Sequence, residues 1–329
     1  MQNPPWQPLF SVQRSFKTEV TVYGLLTVVN YNFSQNLSNV LFSVGDPKTS
    51  LWTRSLLKSC QLMGIYDVLT SHYPMLKEEH LALMMASHSA NDVHLRLIDE
   101  ILALTKLSPD SLKCPQVTPK DNKNTMASPI YHNCSGKHLG HLLAAQALNL
   151  NGYLDPNLPL YDNLKEILKG LSPDFDDNNT IDGCNLPNYA LSAFDIASWY
   201  MYLASFGKVI KPSMAQYKPL VTRIAYLMKQ YPFIIGGSGR LDSSLMAGSQ
   251  LDGCKTEVIA KEGADGLLAI GLEFNHTNLG ILIKLASGFN KQYMEMILDR
   301  VLKRLDYGKI LALNYTENNL SHINTQFYF

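Results

Sequence analysis

What limits this chain most is the order of its strand-forming and helix-forming stretches. Residues 8 to 45 read as strands: Val20, Val22, Tyr23, Leu25, Leu26, Val28 and Val29 are β-formers. A polar break from Asn30 to Asn39 ends that run, and Val40 to Val44 forms a further strand closed by the turn Gly45-Asp46-Pro47. Comparable strand character returns only far downstream. Val258 to Lys261, Leu267 to Leu272 and Leu279 to Lys284 read as three antiparallel strands on short turns, followed by a helix from Met294 to Leu305. The stretch between is helical in pattern. Asn91 and Asp92 are placed to cap one of its helices, and Pro109, Pro115, Pro119 and Pro129 mark a long surface excursion. Strands at both ends around a helical middle predict one antiparallel sheet assembled from the two termini, an α+β architecture rather than alternating βαβ units. The expected division is a sheet domain of residues 8–54 with 230–308, a mainly helical segment 55–229, and a polar tail 309–329 with no assigned role.

The chain has 329 residues, 46% hydrophobic and 17% charged, and can bury one large core or two smaller ones. Lys plus Arg equals Asp plus Glu at 28 each, and no long basic run occurs, which argues against a nucleic-acid partner. No apolar run approaches the roughly 18 residues that span a bilayer. The N-terminus, Met1-Gln-Asn-Pro-Pro-Trp6, has neither a basic n-region nor an apolar h-region. Five cysteines, widely spaced and odd in number, imply no disulfide framework, so a cytoplasmic location is expected. A small, near-neutral or zwitterionic ligand fits this balance.

Four constellations carry chemistry. Ser55-Leu-Leu-Lys58 follows a turn and opens a helix. Lysine three residues on lies on the same face, where a neutral amine takes a serine proton, and the Ser55 N–H is placed to help hold an oxyanion. Ser205-Phe-Gly-Lys208 has the same spacing, but it ends an apolar helix, where a capping hydroxyl suffices. Ser87-His88-Ser89 lies in a link between two helices, and Lys261-Glu262-Gly263 ends a strand; these are the partners a Ser-x-x-Lys enzyme needs. Finally, Tyr131-His-Asn-Cys-Ser-Gly-Lys-His138 crowds reactive groups just before a helix. Cys134 and Lys137 can face one way and meet Cys184 on the turn Asp182-Gly183-Cys184. Two thiolates and a further donor suit zinc, with His132 and His138 the better third ligands by residue type; two buried structural cysteines is the plainer alternative. Gly236-Gly-Ser-Gly-Arg240 lacks a following Gly-Lys-Ser/Thr and reads as a flexible loop.

In this order, Arg54-Ser55-x-x-Lys58, Ala86-Ser87-His88-Ser89, Asn133-Cys134-Ser135-Gly136-Lys137-His138, Asp182-Gly183-Cys184 and Lys261-x-Gly263-Ala264-x-Gly266 resemble the thermolabile, rhizobial-type (class 3) L-asparaginases over roughly residues 15 to 305. The resemblance implies a serine β-lactamase or penicillin-binding-protein-like fold, a homodimer, and hydrolysis of L-asparagine to L-aspartate and ammonia. It further implies that Ser55 with Lys58 and Ser87 with Lys261 form two Ser–Lys pairs. Cys134, Lys137 and Cys184 would hold zinc, and Asp182 and His138 would orient substrate or support the site. The alternatives are a related amidase or glutaminase, a β-lactamase-like hydrolase, or a zinc-stabilised binding protein without turnover. The chain departs from the family at Glu19-Val-Thr-Val-Tyr-Gly24, where Glu-Ser-x-His-x-Gly is usual, at Asn185 for glycine, and at Asp265 for glutamate.

Overall fold

The computed structural model describes residues 5–119, 125–248, 256–307, 313 and 323–329. Cys254 and most of the polar tail lie outside them. In chain order the elements are strands β1 (Gln7–Arg14), β2 (Lys17–Asn32), β3 (Leu37–Val44) and β4 (Ser50–Trp52), then helices α1 (Lys58–His72), α2 (Glu78–Met84), α3 (Asp92–Thr105), α4 (Ser135–Ala147) and α5 (Asp162–Leu171). These are followed by β5 (Asn179–Ile181), β6 (Pro187–Ser192), α6 (Ala193–Ala204), α7 (Lys218–Gln230), α8 (Pro232–Ile235), α9 (Leu241–Ala247), β7 (Glu257–Gly263), β8 (Leu267–Phe274), β9 (Thr277–Leu285), α10 (Lys291–Arg304) and β10 (Ile323–Phe327). The chain forms two compact units. One, the sheet unit, comprises residues 1–51, 191–212 and 244–329; the other, the helical unit, comprises 52–190 and 213–243. Relative to the division drawn from sequence, residues 191–212 go with the sheet and 230–243 with the helices.

The sheet unit holds an antiparallel sheet of order β10-β1-β2-β9-β8-β7, with β3 also paired to β2. The N-terminal β2 lies beside the C-terminal β9, Leu26 opposite Ile283 and Val28 opposite Ile281, so the two ends of the chain do build one sheet. The α+β class is as the sequence led us to expect. The sheet's central cover is α6, whose residues are almost all buried, the pattern of a helix enclosed on every side. Two glycines make that possible. Gly271 on β8 and Gly280 on β9 are directly opposed. A Cβ on Gly271 would lie 1.8 Å from the Tyr200 carbonyl oxygen, and one on Gly280 2.0 Å from that of Ala197. The helix backbone therefore rests on the sheet backbone.

Four strands were not expected from the sequence: the three-residue β4 and β5, and β6 and β10. The end of the polar tail is β10, which pairs with β1 (Phe10 opposite Phe327), so part of the tail has a structural role. Between the turn at 181–187 and the following helix lies β6, where the sequence suggested none. Pro187 and Asn188 look like turn residues, but proline is tolerated as the first residue of a strand, where its missing N–H is not needed.

In the helical unit, α1 packs against α4 and α5. Asn91 caps α3 as expected, its Oδ1 accepting from the His94 N–H at 3.2 Å. Helix α4 meets the end of α2 closely: a Cβ on Gly136 would lie 2.3 Å from the Leu83 carbonyl oxygen. The glycine within Asn-Cys-Ser-Gly-Lys-His thus lets the segment carrying Cys134 and Ser135 approach the one carrying Ser87.

Candidate active site

Ser55 opens a short 3₁₀ turn, Arg54–Leu57, that leads directly into α1. The residue before it, Arg54, has φ +48°, a left-handed conformation that costs a non-glycine residue roughly 1–2 kcal/mol. The β5–β6 hairpin holds it there. Arg54 N–H donates to Asn188 Oδ1 at 3.1 Å, and Asn188 Nδ2 donates back to the Arg54 carbonyl at 3.1 Å. Arg54 Nε pairs with Asp182 Oδ1 at 2.8 Å, while Thr53 donates from Oγ1 to the Tyr189 carbonyl at 2.7 Å. Asn188 is wholly buried and did not stand out in the sequence; Arg54 was visible only as the first residue of Arg54-Ser55-x-x-Lys58, with no role assigned.

Ser55 is half-buried and Lys58 fully buried. Lys58 Nζ donates to Ser87 Oγ at 3.0 Å and to the Ala86 carbonyl. The contact this amine makes with a serine is therefore with Ser87, where the resemblance paired Lys58 with Ser55. The link after α2 is secured on both sides: Ser87 N–H donates to the Ile235 carbonyl at 2.8 Å, and His88 N–H to that of Asn133 at 3.2 Å. The His88 ring has one tautomer compatible with its contacts. Its Nδ1 accepts from the Ala90 N–H at 3.1 Å, so the proton sits on Nε2, which donates to Ser135 Oγ at 2.8 Å; Ser135 Oγ in turn donates to the Ile130 carbonyl at 3.1 Å. Burial, the neighbouring His94 and the Lys58 ammonium hold His88 well below the usual imidazole range, which keeps it neutral. A cavity of about 570 Å³ is lined by His88, Ser89, His132, Asn133 and Arg240, so the glycine-rich stretch 236–240 forms one of its walls.

Cys134, Lys137 and Cys184 converge as the sequence anticipated. The Cys184 thiol donates a hydrogen bond that lowers Cys134 well below the ordinary thiol range; burial opposes this, and Lys58 and Lys137 add to it. Cys184 moves the other way, raised by its thiolate partner and by burial. Burial alone would lower Lys137, but Cys134, Cys184 and Asp182 outweigh it and raise the amine. These shifts favour charge on Cys134 and Lys137 and the neutral thiol on Cys184. Cys114, which sequence reasoning left aside, lies close enough to feel Cys134 and is pushed up to about 12, chiefly by burial. Among the described residues no three His, Cys, Asp or Glu side chains group as a metal site, so a metal here would depend on the Lys137 amine as a donor. Two buried sulfurs suit zinc, and Lys137 would join them only as the neutral amine, after giving up the proton that its sulfur neighbours stabilise.

His138 is placed differently from His88. It is fully buried with Nδ1 hydrogen-bonded to Tyr153 OH at 2.9 Å, and burial, then Lys137, pushes it down to about 2. Tyr153 OH in turn accepts from the Lys113 N–H at 2.8 Å, so the ring is braced within the helical layer. Lys261 belongs to the sheet unit: it is buried on β7, opposite Ala269 of β8, with Nζ 3.3 Å from the Glu262 carbonyl. The second Ser-x-x-Lys match is indeed a cap. Ser205 Oγ donates to the Tyr202 carbonyl at 2.8 Å at the end of α6, and exposed Lys208 pairs with Glu273 at 2.9 Å.

The structure thus sets a buried lysine, hydrogen-bonded to one serine, one helical turn beyond a second serine at a constrained turn. A sequence profile described as L-asparaginase II matches residues 11–325, and the chain belongs to that family, a hydrolase of the asparaginase type. No curated protein matches it. Among solved structures it is similar to an ancestral class A β-lactamase (9% identity, 86% of this chain and 94% of that one, TM-score 0.39). It is likewise similar to L2 complexed with relebactam (9%, 86% and 92%, TM-score 0.42) and to a β-lactamase from Desulfarculus baarsii (13%, 79% and 83%, TM-score 0.36).

Proposed function

We propose that the chain hydrolyses L-asparagine to L-aspartate and ammonia as a rhizobial-type, class 3 member of its family, with Ser55 as nucleophile. The observation that carries this reading is the buried Lys58 amine 3.0 Å from Ser87 Oγ, three residues beyond Ser55. Lys58 follows Ser55 by three positions, the spacing that sets two side chains on one helical face. Lys58 must first give up a proton: the neutral amine that remains keeps two N–H donors for Ser87 Oγ and the Ala86 carbonyl and has a lone pair that takes the Ser55 proton. Ser55 Oγ bonds to the side-chain amide carbon as the carbonyl electrons move to oxygen, and the Ser55 N–H stabilises that charge. The C–N bond breaks as Lys58 returns its proton to the leaving nitrogen, releasing ammonia and leaving a β-aspartyl ester. Water, deprotonated by the same amine, attacks the ester carbon; L-aspartate leaves and Ser55 regains its proton. Ser87 with Lys261 forms the second pair in this reading, and Asp182 acts through Arg54.

Cys134, Lys137 and Cys184 are the residues that would hold zinc, which when bound supplies a Lewis acid and a cross-link between the α4 start and the hairpin turn. The active form is a homodimer in the cytoplasm, a compartment that suits the four free described cysteines. Ser55→Ala should abolish ammonia release from L-asparagine; retained turnover would remove Ser55 as nucleophile. Elemental analysis should find about one zinc per chain, lost on Cys184→Ser. A fully active protein as purified with no metal would end the claim of a required site.

A further inference from the structure

The structure assigns Asn188 as a positioning residue: its side-chain amide fixes the plane of the Arg54–Ser55 peptide and so aims the Ser55 N–H and hydroxyl. Asn188 is 0% exposed and makes a two-point pairing with the backbone of one residue, accepting from Arg54 N–H and donating to its carbonyl, both at 3.1 Å. That residue is in the left-handed region, φ +48°, a conformation that persists only where its surroundings impose it. The peptide is planar and trans, so the Arg54 carbonyl and the Ser55 N–H point in opposite directions. With the carbonyl tied to Asn188, the Ser55 N–H is turned away from the hairpin. The asparagine thereby does for this peptide what a neighbouring strand does in a ladder.

The same hairpin is anchored independently of this contact. Its strands pair Thr180 with Asn188 and Asn179 with Tyr189. Buried Gln61 on α1 donates to the Pro187 carbonyl at 3.1 Å, and Thr53 N–H donates to that of Tyr189 at 3.2 Å. Removing the Asn188 amide donor therefore leaves the hairpin attached while taking away the tie between it and the Arg54 carbonyl. An aspartate there would keep an acceptor for Arg54 N–H but set a carboxylate against the Arg54 carbonyl.

The inference rests on Ser55 as the nucleophile, and the test separates the two. Asn188→Asp and Asn188→Ala are compared with wild type and with Gln61→Leu, which loosens the hairpin without touching Arg54. The readouts are kcat and KM for ammonia release from L-asparagine, the rate of Ser55 labelling by a fluorophosphonate probe followed by peptide mass, and thermal stability. Both Asn188 variants should lose about 10²-fold in kcat, the scale for misaiming one oxyanion donor, with KM within about twofold and labelling slowed in parallel. Gln61→Leu should retain kcat within about twofold at a comparable loss of stability. Unchanged kcat and labelling in the Asn188 variants overturns the inference, as does a loss that merely tracks stability in all three proteins or a failure of both Asn188 variants to fold. A wild type whose Ser55 is labelled but which releases no ammonia instead defeats the asparaginase reading, and the labelling rates still decide the role of Asn188.

Discussion

The two units bury different things. In the sheet unit the covering helix and the strands meet through apolar side chains and bare backbone, with Gly271 and Gly280 beneath α6. In the helical unit the interior is rich in groups that exchange protons: His80, His88, His94, His138 and His141 are all buried there, as are Lys58, Lys137 and all four described cysteines. The sheet unit is held mainly by shape, with Asp195, Lys261, Glu262 and Glu295 as its buried charged groups; the helical unit adds desolvated imidazoles, amines and thiols that each need a partner.

The sharpest way to test that contrast is to add one methyl group to each. Gly271→Ala drives a Cβ into the Tyr200 carbonyl and should cost about 3 kcal/mol or more of stability, read by urea unfolding, while activity per folded molecule stays level. Gly136→Ala drives a Cβ into the Leu83 carbonyl, directly before the Ser87 link, and should lower stability by about 2 kcal/mol and activity per folded molecule as well. If the two substitutions affected activity alike, the division of labour between the units would collapse.

Acid should act next, and on the helical unit first. His80 lies against Glu100, Lys77 and Glu79, and His94 against His88 and the Ile234 carbonyl; burial lowers both below the ordinary 6.5. A group with a lowered folded-state pKa binds protons more readily when unfolded, so the stability it contributes is present above pH 6.5 and is lost as pH falls below it. Glu100, held down to about 2 by hydrogen bonds from Lys77, His80 and Arg96, adds a second loss from its ordinary 4.5 downward. Amide exchange between pH 7 and 5 should show helical-unit protection falling while β8 and β9 hold. Earlier loss from the strands would contradict this.

The smallest effect should come from the decoy motif. Lys208→Ala removes an exposed ion pair and should change stability by no more than about 0.5 kcal/mol and ammonia release not at all. Measurable loss of turnover would mean that the two Ser-x-x-Lys segments are less different than their surroundings indicate.

The same contrast explains what could be read from the sequence. The strands β7, β8 and β9, their pairing with a strand near the other end, and the cap at Asn91 follow from local pattern, because a strand's period and a cap's side chain are local properties. The convergence of Cys134, Lys137 and Cys184 was visible as a motif. The partner of Lys58 was not, since a hydrogen bond across 29 positions to Ser87 depends on how α1 and the end of α2 pack. Strand β6 was hidden by its turn-like opening residues, and with it Asn188, which looks like a loop asparagine until Arg54 is set beside it. Strand β10 was hidden because a five-residue edge strand next to polar sequence carries little pattern of its own.

The short hairpin from Asn179 to Ser192 bears three of these contacts at fixed intervals: Asp182 to the arginine, Cys184 to the thiolate, Asn188 to the peptide before the serine. Side chains alternate faces along a strand, so an insertion between Cys184 and Asn188 that slipped the β5–β6 register by one residue would turn the asparagine to the opposite side. The segment is therefore locked in length. Variation in loop size is admissible before it, at 172–178, or elsewhere on the surface, and a graft of this site into another scaffold has to carry the hairpin as one piece.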